Sequence, residues 1–287
     1  MTMRTTPETS EFPIITSRQN SRVKQLRAAF SANGRGAGGA QSGLVAIEGE
    51  HLLLEALRSG LELTTVFAQA GKERLLRKLP LGASPEVLLL SEDVFRSAVA
   101  TETPQGVAAL LHTPNFGRED LLRSAGETSS APTPLILVAA GLQDPGNLGT
   151  LIRSAEAFGA TGVLALQGTV SHWNQKALRS SAGSTFRLPV VLGTMDDLRW
   201  LQSMGVRLLA ATMDGTPVEH ADLRTAVAVL IGNEGAGLPP ELLALAHERV
   251  AIPCPGPVES LNAAVAGSLL LYEAARQRKD SSGANPG

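Results

Sequence analysis

From residue 135 onward, short apolar runs alternate with segments of helical period, and this alternation limits what the chain can fold into. The runs 135–142, 162–166, 190–192, 206–211 and 227–231 carry almost no polar side chains. Strands without a polar face must be covered on both sides, which is the signature of a parallel sheet inside an α/β fold. Helices are expected after Asn147, near 175–180, at 196–204, at 240–247 and from about Ser260. Such strand–helix alternation implies a mostly parallel sheet with helices on both faces. Ligands in sheets of this kind sit beyond the carboxyl ends of the strands, and the glycine-rich turns of this half fall there.

The first half reads as a smaller α/β unit. Strands are expected at 44–47, 63–68, 87–90 and 107–111, and helices at 48–59 and 92–99. With 287 residues, two domains are expected. They are placed at 14–112 and 134–279, joined by a polar linker at 113–133 with its clearest stretch at 126–134. The loop at 33–39 is rich in glycine, and the tails 1–13 and 280–287 are expected to be disordered on composition. The polar beginning lacks the apolar core of a signal peptide, and no apolar run is long enough to span a bilayer, so cytoplasmic residence is expected. A single cysteine, Cys254, excludes an internal disulfide and a multi-cysteine zinc site, and it reads as a small packed residue between prolines.

Three strand-end loops carry candidate chemistry. The first is Asp144-Pro-Gly-Asn147, a turn in which Asn147 can cap the following helix. Arg153 lies within that helix and needs an anionic partner, either Glu156 at i,i+3 or a bound anion. The second is Ile231-Gly-Asn-Glu-Gly235, with Gly232, Asn233 and Glu234 at the end of an apolar strand. Its spacing fits neither a dinucleotide fingerprint nor a P-loop. The third is Ile252 to Asn262, stiffened by prolines, with Ser260 a helix cap and Asn262 in the first turn. A further segment, 176–184, holds Lys176, Arg179 and Ser181, suited to a nucleic-acid backbone or to an ordinary helix end. His172, Trp173 and His220 read as surface loop residues. The net charge of −2 gives no global basic footprint, so any nucleic-acid contact would fall to local clusters such as Arg18, Arg22, Lys24 and Arg27 on a short helix, which equally fit a solvated helix face. No metal-ligand spacing and no hydrolase-type Ser or Cys with His is present, which points to transfer from an already activated donor.

Taken together, Asn147-x-Gly-x-x-x-Arg153, Ile231-Gly-Asn-Glu-Gly235 and Ile252-Pro-x-x-Gly-x-Val-Glu-Ser-Leu-Asn262 resemble the three motifs of the SpoU, or TrmH-type, RNA ribose 2′-O-methyltransferases of the SPOUT superfamily, in the family's order. Residues 15–24, Glu48-Gly49 and Thr103-Pro-Gln-Gly106 resemble that family's amino-terminal substrate-binding domain, a small fold similar to an RNA-binding ribosomal protein. The chain departs from the family at Ala263-Ala264, where a Val-Ser pair is frequent.

The resemblance implies a homodimer with a trefoil-knotted catalytic domain that uses S-adenosylmethionine and no metal. It implies donor contacts at Gly232, Ile252 and Leu261, with Ala211, Thr212 and Asn233 near, and catalytic roles for Arg153, Asn147, Glu234, Ser260 and Asn262. Arg18, Arg22, Lys24, Arg27, Arg179 and Ser181 are the expected RNA contacts. A guanidinium stays protonated, so Arg153 is expected to hold charge and not to act as a simple base. Ribosomal RNA is the expected substrate. The alternatives are methylation of a transfer RNA ribose, methylation of a base nitrogen, and a non-catalytic RNA-binding or ribosome-assembly protein with this fold.

Overall fold

The computed structural model describes residues 14–33, 43–82, 85–123, 133–257 and 260–282. The tail 1–13, the glycine loop beyond Asn33, the linker stretch 124–132 and Val258-Glu259 of the third motif lie outside the described residues. The chain divides into two compact units, one of 14–32 with 43–112, and one of Asn33 with the described residues from Thr113.

The first unit runs β1 (Ile14–Ile15), α1 (Ser21–Asn33), β2 (Leu44–Glu48), α2 (Glu50–Arg58), β3 (Leu63–Gln69), β4 (Glu86–Leu90), α3 (Glu92–Ala98) and β5 (Val107–His112). Its sheet order is β1-β4-β3-β5-β2, with β5 antiparallel to both neighbours. Val23, Leu26 and Phe30 of α1 join Val94 and Phe95 of α3 and Phe67 of β3 in one buried cluster. Burial of several large apolar side chains, each worth about 2 kcal/mol, gives this short sheet its stability.

The second unit runs β6 (Leu135–Ala139), α4 (Pro145–Ala157), β7 (Gly162–Leu166), α5 (Gln175–Ser181), α6 (Ser184–Arg187), β8 (Val190–Gly193), α7 (Met195–Ser203), β9 (Arg207–Pro217), β10 (Val227–Ile231), α8 (Pro240–Leu245), β11 (Glu248–Ala251) and α9 (Ala263–Ser282). Its six strands pair in parallel in the order β11-β9-β10-β6-β7-β8. The continuous apolar runs are explained by period two. Leu135, Leu137 and Ala139 face one core with residues of α4 and α9, while Ile136 and Val138 face another with residues of α7 and α8.

Several boundaries differ from the sequence reading. β11 was not anticipated, because Glu248-Arg249-Val250-Ala251 is half charged. α9 starts at Ala263 and runs through Ser282, beyond the expected end at Lys279. The first part of the expected linker, 113–123, belongs to the second unit, with Leu121 fully buried and its carbonyl accepting from the Thr161 hydroxyl. Cys254 is exposed. His172 and Trp173 are buried, not surface residues, and Trp173 stacks at 6.2 Å on Phe186. Among the described residues no helix is long and apolar enough to cross a membrane.

Candidate active site

Parallel pairing puts the carboxyl ends of β6, β10, β9 and β11 along one edge, and the three motifs emerge there side by side. Asp144, not Asn147, caps α4, accepting from the N–H groups of Gly146 and Asn147. Pro145 at the first helical position explains the choice, since a capping residue precedes such a proline. The Lys176 ammonium 2.8 Å from Asp144 and those two N–H groups hold the aspartate below the usual carboxylate range.

Freed from capping, the Asn147 amide joins two motifs. Its Nδ2 donates to Glu234 Oε1 at 3.0 Å, and its Oδ1 accepts from Asn262 Nδ2 at 3.1 Å. Asn262, not Ser260, caps α9, its Oδ1 accepting from the N–H groups of Ala264 and Val265. The direction of this chain is forced from both ends. Helix N–H groups only donate and an ionised carboxylate only accepts, so each amide has a single workable orientation. Glu234 also accepts from the N–H groups of Gln143 at 3.3 Å and Asp144 at 3.4 Å. Partial burial pushes the Glu234 carboxyl up, but the bonds from Asn147, its own backbone and Gln143 and Asp144 outweigh this and keep it below its ordinary range.

Asn233 staples its own loop. Its amide donates to the Gly141 carbonyl at 2.8 Å and accepts from the Gly235 and Ala236 N–H groups. The side chain of Asn233, a residue expected near the donor, is thus engaged within its own loop. Gly232 lies so close to Gly237 that a Cβ would sit 2.3 Å from that backbone, so only glycine lets the loop fold back. On the next strand, the β9–β11 register jumps from Ala210 opposite Arg249 to Thr216 opposite Val250. The intervening residues, which include Ala211 and Thr212, leave the ladder at the same edge as half-exposed Ile252 and Leu261. Three adjacent strand ends thus offer unladdered backbone beside half-exposed apolar side chains, a donor set that fits a nucleoside such as the adenosine of S-adenosylmethionine.

Arg153 is exposed. The buried side of α4 is Leu148, Gly149, Leu151, Ile152 and Ala155, which leaves Thr150, Arg153 and Ala157 on the outer side. The i,i+3 pairing does not form. Glu156 binds Arg187 bidentately at 2.7 and 3.0 Å, and that bond chiefly holds its carboxyl low. The Arg153 side chain has no hydrogen bond or ion pair among the described residues, and the same holds for the side chain of exposed Arg179 on α5. The two helices meet where a Cβ on Gly149 would lie 2.3 Å from the Ala177 carbonyl. Ser181 is fully buried, with its hydroxyl bonded to the Leu178 carbonyl and Thr185, so it is removed from the expected RNA contacts. Ser260 is exposed at the mouth of the third loop.

In the first unit, Arg18 precedes α1 and Lys24 is exposed on it. Arg22 pairs with Glu86 at 2.8 Å, and Arg27 is tied to the carbonyl and hydroxyl of Ser97. The expected basic face is therefore partly spent on packing α1 against its own sheet and α3. Sequence reasoning missed Asp144 and Arg187, although an aspartate directly before a helix-opening proline is a legible cap signal.

The SpoU rRNA Methylase family profile matches residues 134–272, and an MRM3-like substrate binding domain profile matches residues 20–109. The chain is 37% identical over 228 residues to the 23S rRNA (guanosine(2553)-2′-O)-methyltransferase RlmP of Bacillus subtilis, covering 79% of this chain and 86% of that protein. It is 36% identical over 282 residues to the uncharacterized tRNA/rRNA methyltransferase slr1673 of Synechocystis sp., covering 95% of this chain and 97% of that one. Among solved structures, the SpoU methyltransferase AviRb from Streptomyces viridochromogenes, in complex with AdoMet, superposes with a TM-score of 0.78 at 28% identity, covering 91% of this chain and 99% of that one. The resemblance read from the three motifs is thereby borne out: the chain belongs to the SpoU family of RNA 2′-O-methyltransferases.

Proposed function

We propose that this protein transfers the methyl group of S-adenosylmethionine to a ribose 2′-hydroxyl of ribosomal RNA. The observation that carries the reading is the polarised chain from α9 through Asn262 and Asn147 to Glu234, which ties all three motifs into one unit at the strand ends. Bound S-adenosylmethionine supplies a methyl group already activated on a sulfonium. Gly232, Ile252, Leu261, Ala211 and Thr212 hold it, largely through backbone atoms of the three loops. The protein's remaining task is the poor nucleophile. Arg153 steadies the ribose oxygen or its neighbouring phosphate as negative charge develops, worth a few kcal/mol, about 3, in a site closed to water. Asn147, Glu234 and Asn262 act on each other and set the loops, while Ser260 reaches toward the ribose.

Arg179 adds a phosphate contact, as do Arg18 and Lys24 from the first unit. A homodimer completes the site. Its support is the stripe of Val265, Leu269 and Tyr272 on α9, exposed at 48%, 42% and 53% at i, i+4 and i+7 spacing. Tyr272 rests edge-on against Phe158 at 5.7 Å, extending the apolar face. The C-terminal segment through α9 is the part that the proposed trefoil knot threads, and the cytoplasm is the proposed place of action. Mass spectrometry of ribosomal RNA from a strain lacking the protein tests the reading. One ribose methylation is expected to disappear, and an unchanged ribosomal RNA with a lost transfer RNA or base methylation contradicts it.

A further inference from the structure

The end of the first unit's sheet carries two side chains that each lie across a glycine and whose polar ends are unused. Glu48, buried at the end of β2, accepts from the Thr101 hydroxyl at 2.6 Å and the Gln105 N–H at 2.8 Å. This carboxylate fastens the loop that leads into β5. Gly49 follows with φ +102, a conformation that side chains rarely adopt, and the Gln105 side chain lies across it. A Cβ on Gly49 would fall 2.3 Å from Gln105 Oε1. Gly106, at φ +89, is covered in the same way by Lys72, whose Cδ and Nζ lie 2.3 and 3.0 Å from where a Cβ would be. The two glycines are joined through the sheet, since Gly49 N–H donates to Val107 and Gly106 accepts from Gln69.

Neither the Gln105 amide nor the Lys72 ammonium has a hydrogen bond or ion pair among the described residues, and Gln105 is exposed. A lone surface glutamine or lysine is ordinarily free to sample many rotamers. Here each stem lies across the backbone of a positive-φ glycine, at strand ends joined by those hydrogen bonds. Ordering them in advance lowers the entropy cost of using them on a ligand. An amide with both a donor and an acceptor free matches the edge of a base, and an ammonium beside it matches a phosphate.

We infer that Gln105 and Lys72 grip one unpaired nucleotide of the RNA substrate, Gln105 on the base edge and Lys72 on the backbone. This rests on the reading of the protein as an RNA methyltransferase and locates substrate capture within the first unit. The test uses the full-length protein and transcribed, unmodified 23S ribosomal RNA, with binding measured over a series of salt concentrations. Gln105→Ala weakens binding about tenfold and leaves the salt dependence unchanged, because the amide is neutral. Lys72→Gln weakens it and lowers the slope of log K against log salt by about one. Thermal unfolding and S-adenosylmethionine affinity stay at wild-type values in both, which a purely structural role for these side chains does not allow. Wild-type binding with both variants within about twofold of it overturns the inference. A wild-type protein that neither binds nor methylates this RNA overturns the underlying reading, and the inference with it.

Discussion

At the scale of single residues, the structure separates groups that hold the site from groups left free to act. Arg153 could be singled out from the sequence as an arginine in want of an anion, but not its surroundings: an apolar-looking segment does not reveal which side of α4 faces out until α5 and α9 pack on the other. The caps show the same limit. Asn147 and Ser260 are good capping residues, yet Asp144 and Asn262 do the capping, because helix starts shift by a residue or two with tertiary packing. His172 shows what burial adds. Desolvation pushes its pKa from 6.5 down to about 4, and its Nδ1 has no partner. The unfolded chain then binds a proton between those pH values that the folded chain does not. Stability is full above pH 6.5 and falls as pH drops toward 4, by a total of about 3 kcal/mol from this residue. Urea unfolding at pH 7 and pH 5 is expected to show a smaller pH-dependent loss in His172→Phe than in the wild type.

At the scale of elements, helix α9 is secured by a cation without a carboxylate. The Arg278 guanidinium donates to the carbonyls of Leu223, Thr133, Pro134 and Thr225 at 2.6 to 3.0 Å, clasping the helix to the chain entering β6 and to the turn before β10. Gln277 adds bonds to Ala221 and Leu223 beside it. Arg278→Ala removes four hydrogen bonds, one of them to the part-buried Leu223 carbonyl, and is expected to cost about 2 kcal/mol in denaturant unfolding. Arg278→Lys recovers little, because one ammonium cannot replace a planar fork of donors. Nothing local in the sequence marks this arginine, since all its partners are carbonyls far away in the chain. The strands of the sheet were legible because covering both faces leaves uninterrupted apolar runs. β11 and the outward excursion of β9 were not, as edge position and a register jump permit polar residues there.

At the scale of the whole molecule, the division into two units and the parallel sheet of the second were readable from alternation and composition. The meeting of the three motifs at one edge was legible from the strand–helix alternation, and strand order gives it physical form by placing β10 between β9 and β6. The proposed dimer is testable through the exposed stripe on α9. Leu269→Glu places a charge in that face, and sedimentation is expected to show monomers where the wild type is a dimer, with methyl transfer falling alongside. The account as a whole turns on Arg153 acting upon a ribose oxygen. Purified protein is to be incubated with unmodified 23S ribosomal RNA and methyl-labelled S-adenosylmethionine, and the RNA digested to nucleosides. We expect the label on one 2′-O-methylated nucleoside, and in Arg153→Ala a fall in kcat of at least about 100-fold with S-adenosylmethionine affinity retained. Label on a base, or transfer by Arg153→Ala at near the wild-type rate, contradicts this.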